Sequence, residues 1–160
     1  MNIQSRSIVI TLILAAFLSS CAKTDNSKAA IEQRSQQVMP FNMDTAMHMF
    51  TPTATGGVQQ VVVHSGDMQQ ITLVRRHLRK EAAAFSRGDF SDPAYIHGND
   101  MPGLSELGRD HVHLAVTYKS SKQGGEIVYT SSEPRVIAAI HEWFKAQVRD
   151  HGPHAMTGSM

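Results

Sequence analysis

Two amphipathic stripes constrain this chain more than any other feature. Ile71, Val74, Leu78, Ala82 and Phe85 recur at three- and four-residue spacing, and so do Val136, Ile137, Ile140, Phe144 and Val148. Each stripe follows two β-prone runs that flank a Gly-Gly pair. In the first half these are Met47 to Thr51 and Val58 to His64, around Gly56-Gly57. In the second they are His111 to Lys119 and Glu126 to Thr130, around Gly124-Gly125. Glycine supplies the left-handed backbone that a tight hairpin turn requires, so each Gly-Gly is expected at a turn. From His111 to Lys119, Val112, Leu114, Val116 and Tyr118 alternate onto one face of a strand. Ser65 or Asp67 can cap the first helix, with Gly88 ending it. Ser132 can cap the second, with Glu133 and Pro134 in its first turn and Gly152-Pro153 stopping it. The expected fold is α+β, ββα–loop–ββα, with a four-stranded, mainly antiparallel sheet and two helices on one face.

The loop between the halves, Gly88 to Gly103, holds three glycines and two prolines together with Asp and Asn residues. That is the chemistry of a long turn-rich connection.

The chain has 160 residues, enough for one domain. Its start has another purpose. Arg6 is followed by an almost wholly apolar run, Ile8 to Leu18, too short to span a bilayer and typical of a signal-peptide core. Leu18-Ser19-Ser20-Cys21 then resembles a bacterial lipobox, which implies cleavage before Cys21, a diacylglycerol thioether on its sulfur and an acylated amine. The sequence therefore divides into a signal peptide (1–20), a flexible tether (21–38), an α+β domain (39–150) and a flexible tail (151–160) that carries His151, His154, Met156 and Met160. Ala22 is not the Asp that favours inner-membrane retention. The expected location is the bacterial envelope, lipid-anchored in the outer membrane and facing the periplasm. Arg6 is the single charged residue in 1–20, so the rest of the chain balances its 14 Asp+Glu with as many Lys+Arg. That balance leaves no electrostatic footprint for nucleic acid. Cys21 is the only cysteine, so once lipidated it leaves no thiol for a disulfide.

Candidate ligands concentrate in two segments. Met39, Met43, Met47 and Met49 surround His48, and His97 and Met101 sit in the central loop. Thioether and imidazole together suit copper, and an exported protein without free thiols meets copper in the envelope. His97, Met101, His48, Met47 and Met49 are the expected metal ligands, with His77, Asp92 and Asp100 supporting them as hydrogen-bond partners. Met47 and Met49 also fit a core-facing strand with His48 outward. His111 and His113 share a strand face but read as solvated. His77 and His141 read as boundary histidines on the two helices, and the one-turn spacing of His77 and Glu81 marks a surface pair.

A set of local motifs carries a family resemblance. Met39-Pro40-Phe41, His48-Met49-Phe50, Gly56-Gly57-Val58-Gln59, Arg76-His77-Leu78, Gly88-Asp89-Phe90-Ser91-Asp92-Pro93, Ile96-His97-Gly98 and Met101-Pro102-Gly103-Leu104 resemble a group of small exported bacterial proteins of poorly defined function. Members are sometimes labelled aspartate carbamoyltransferase. The known carbamoyltransferases need about twice this length and a Ser-Thr-Arg-Thr phosphate loop, which this sequence lacks. The resemblance implies the architecture and the importance of the central loop. The leading expectation is a lipoprotein that binds a metal, copper first, or a small ligand. The alternative is a non-catalytic envelope interaction or assembly module with a protein partner. An enzyme ranks third, because the sequence pairs no nucleophile with a base.

Overall fold

The computed structural model describes residues 25–159; the expected signal peptide and Cys21 lie outside them, as does Met160. Five strands form one sheet in the order β3-β4-β2-β1-β5. β1 (Ala46–Thr53) and β2 (Gly56–Val63) make one hairpin, and β3 (Ala115–Ser121) and β4 (Gly124–Thr130) make the other. The hairpins join antiparallel along β2 and β4, with Val58 opposite Val128. β5 (Ala155–Thr157) adds parallel to β1. Helices α2 (Met68–Phe85) and α5 (Pro134–His151) pack on the sheet, α2 over β3 and β4 and α5 over β1 and β2. They share one core, in which Val74, Leu78, Ile140 and Phe144 meet Phe50, Val61, Ile127 and Tyr129.

The mixed α+β class and the two ββα halves match the expectation, but four strands and two helices are too few. The extra elements come from segments without long apolar stripes. Lys28–Val38, expected as tether, is helix α1. The Ser27 side chain accepts from Ala30 N at its start, and Ile31 and Ser35, one turn apart, are buried on its single inward edge. Arg34 Nε donates to the Ile96 carbonyl at 2.7 Å and fixes α1 to α3 (Ser91–His97). Thus the central stretch is not one loop: α3 lies within it, and Gly103, at φ 79, caps α4 (Leu104–Arg109). The expected flexible tail is ordered as well. His151 is the buried last residue of α5, and 155–157 pair with β1.

Three local expectations need correction. The turns fall at residues 54–55 and 122–123, and each Gly-Gly pair opens the returning strand. Packing explains this. A Cβ on Gly57 would overlap the Phe144 ring, and one on Gly125 would press on Tyr118 and Leu78. The glycines let α5 and α2 approach the sheet. His111–His113 is a single 3-10 turn, because β4 ends opposite Ala115 and offers no partner further back. Ser132 is not the α5 cap. Glu133 holds that position, its N–H donating to Ser131 Oγ, with Pro134 at the first helical position.

Candidate functional site

The inward stripe of α2 is interrupted by His77 and Glu81, and that of α5 by Trp143, Gln147 and His151. His77, Glu81 and Phe85 have the same four-residue spacing as Trp143, Gln147 and His151. The two sets face each other across the seam between the halves, where they line a cavity of about 40 Å³. His48, Phe50 and Gln59 form its floor from β1 and β2. Asp92, Pro93, Ile96 and His97 of α3 close one side, with Val38 and Met39 at the end of α1. The space holds roughly three water molecules, at about 10–15 Å³ each. It is too small for a nucleotide or a sugar.

Three imidazoles gather at one end. His151 stacks on His48 with ring centres 5.7 Å apart, and meets His97 edge-on at 4.9 Å. His97 Nδ1 lies 3.0 Å from Asp150 Oδ2. A carboxylate only accepts, so Nδ1 carries the proton and Nε2 keeps its lone pair. Nε2 has no partner. Burial lowers the basicity of His97 more than Asp150 restores it. His48 is 2% exposed, and burial pulls it down to about 4, partly offset by a hydrogen bond to the His154 backbone carbonyl; its Nδ1 is also without a partner. His151 is pushed well below its ordinary value by burial and by the neighbouring histidines. All three are therefore neutral near pH 7.

Carboxyl groups hold the other end. Glu81 is 5% exposed, and burial first, then its hydrogen bond to Asp92 and the Asp92 charge, push it up to about 7. Burial also acts against the Asp92 carboxylate, but hydrogen bonds from Lys80 and Glu81 outweigh it and hold Asp92 below its ordinary value. Lys80 Nζ is 2.7 Å from Asp92 Oδ2 and 3.5 Å from Glu81 Oε1. Burial also pulls His77 down to about 4. Glu81 Oε1 and Trp143 Nε1 join the imidazole nitrogens as buried polar atoms without a hydrogen bond. An unpaired buried polar atom costs about 1–3 kcal/mol, so four around one small space are a concentrated expense.

The structure thus brings together His48, His77, Asp92 and His97 from among the expected residues. It separates the others. Met47 and Met49 alternate with His48 along β1 and so point to the opposite face of the sheet. Met101 is buried in the hydrophobic core and does not line the cavity, and Asp100 is exposed. His77 and Glu81 are not a surface pair; both face the cavity. His141 is elsewhere, its Nε2 within 3.0 Å of the Thr53 and Gly56 carbonyls at the first hairpin turn. His111 bonds the Gly108 carbonyl and His113 is exposed. Sequence reasoning missed Glu81, Gln59, Gln147 and His151 as site residues. The signal for Glu81, Gln147 and His151 was present, as polar residues at core-facing helical positions. Among the described residues, no three His, Cys, Asp or Glu side chains are already set to hold one metal ion. No family model matches the chain, and no curated protein or solved structure shows significant similarity to it.

Proposed function

We propose that the chain is a lipid-anchored, periplasm-facing protein that binds a transition-metal ion, copper before others, in the cavity between α2 and α5. The observation that carries this reading is the pair of bare imidazole nitrogens, His48 Nδ1 and His97 Nε2, buried at one small polar space. A metal takes neutral imidazole, and burial keeps these rings neutral. His97 also has the support typical of a metal-bound histidine, its other N–H on a carboxylate. Two imidazoles in adjacent positions on one ion, with metal–nitrogen bonds of about 2 Å, place their ring centres about 4.5–5 Å apart. The spacings of 4.9 Å and 5.7 Å about His151 need only ring reorientation to meet that. The proposed ligands are His48, His97 and His151. Copper leads because affinity at nitrogen sites peaks at Cu(II), and without Met47, Met49 and Met101 as ligands the favoured state is Cu(II) and not Cu(I). The anchor rests on the apolar run Ile8 to Leu18 and on the placement of Cys21 after it.

Trp143 is the only tryptophan and it lines the cavity, so its fluorescence reports occupancy directly. Titration of the metal-free protein with Cu(II) against a competing chelator is expected to show one saturable site that quenches Trp143. His48→Ala and His97→Ala should each weaken it at least ten-fold, and Met47→Leu and Met101→Leu should not. Affinity equal to that of the His48→Ala/His97→Ala double variant would refute the proposal.

A further inference from the structure

The second face of the sheet has a composition at odds with open solvent. Among the described residues no helix packs on it: α2 and α5 take the inward positions Phe50, Val61, Ile127 and Tyr129. The outward positions form four cross-strand rows, of which one, Thr53, Gly56, Thr130, Ala115, lies beside the first hairpin turn. Of the others, one runs Met47, Val62, Gly124, Ser121. The next runs Met156, Met49, Gln60, Glu126, Lys119, and the third Thr51, Val58, Val128, Thr117. An antiparallel sheet with one solvated face ordinarily places polar residues there. Here the two central strands and β1 place Val58, Val62, Val128, Met47 and Met49 outward, and Met156 beside them is 47% exposed. Across the outward positions of all five strands only Lys119 and Glu126 are charged, and they pair with each other at 3.7 Å.

We infer that this face is the contact surface for a second copy of the chain, packed sheet to sheet about a two-fold axis. Size and charge both favour that occupant. Four strands spaced about 4.8 Å apart and eight residues long, at about 3.3 Å per residue, give a footprint of about 500 Å² per copy. Two copies then remove about 1,000 Å² from solvent, which reaches the threshold for a specific interface. An isologous pairing sets like surfaces together, so any net charge would repel itself. This surface carries one charge of each sign and meets no such penalty. A lipid surface fits less well, because interfacial faces combine large apolar side chains with a cationic rim, and here a lone lysine is already paired. Valine rows can stack at the angle of about 30° common to aligned sheets, and methionine adapts to the facing side chains. The cavity lies on the opposite side of the sheet, so pairing leaves the helical layer free.

The test is sedimentation of the full chain in mild detergent, with and without Val58→Lys and Val128→Lys. The unaltered chain is expected to be a dimer at micromolar concentration. Each variant should weaken self-association at least ten-fold while keeping the Trp143 emission maximum of the unaltered chain, which shows that the core is intact. A monomeric unaltered chain at tens of micromolar would overturn the inference. So would variants that remain dimeric, or a different protein that binds this face while copies of the chain stay apart. Copper binding enters none of these outcomes.

Discussion

Protonation at Glu81 and at the histidines around it runs in opposite directions. Glu81 rises from its ordinary 4.5 to about 7 on folding, because burial and Asp92 favour the neutral acid. Below pH 4.5 it is protonated in both states, and its contribution to stability is complete. Between pH 4.5 and about 7 the unfolded chain releases the proton that the native chain keeps, so this contribution is lost as pH rises. A shift of that size corresponds to about 3 kcal/mol at most. His48 and His77 behave inversely. Their folded values near 4 lie below the ordinary 6.5, so the stability they lend is full above 6.5 and lost as pH falls toward 4. Glu81→Gln carries no titrating proton. In urea unfolding of the metal-free protein, its stability relative to the unaltered chain should be greater at pH 8 than at pH 4.5, by on the order of 1–3 kcal/mol. A difference that does not change with pH would place Glu81 in an ordinary solvated setting.

At the scale of elements, the legible part of the sequence was the part with long apolar periodicity. α2 and α5 repeat their core positions over several turns, and their strands are rich in Val, so both halves could be read. α1 exposes no such stripe, since Ile31 and Ser35 alone are buried along it. Its stability comes from partners distant in sequence, including the Arg34 bond to Ile96, and no local pattern reveals those. The candidate site divided the same way. His48, His77 and His97 were visible as residue types, but their meeting with His151 depends on a seam that only tertiary packing creates. The grouping of Met47 and Met49 with His48 failed because neighbours on a strand face opposite ways. Glycine supplies a test at this scale. Gly66 and Gly103 both have positive φ, at 70° and 79°. A Cβ on Gly66 meets nothing within 4 Å, whereas one on Gly103 would overlap the Ala139 carbonyl of α5. Gly66→Ala should cost about 1 kcal/mol from backbone strain alone. Gly103→Ala should cost more than about 3 kcal/mol, as the α4–α5 contact is forced apart. Thermal and urea denaturation of the two variants compare them directly.

For the whole molecule, one core spans both halves. Trp143 contacts Tyr129 of β4 and Phe85 of α2, so a residue of the second half is packed into the first. Unfolding is expected as a single transition, with Trp143 fluorescence and far-UV circular dichroism falling on one curve. Two separated midpoints would mean that the halves are independent. The docking of α1 has a further consequence for where the molecule can be. With lipid on Cys21, only Ala22 to Ser27 separate the anchor from the start of a helix fixed to the domain. Six residues reach at most about 20 Å when fully extended. A free tether to residue 38 would have reached about 60 Å. Under the proposed anchor the domain would therefore ride low on its bilayer, within about 20 Å of the surface. On the proposed function a donor or acceptor of the ion would have to meet it at the membrane surface, and for a partner held on the same membrane that encounter would be a search in two dimensions.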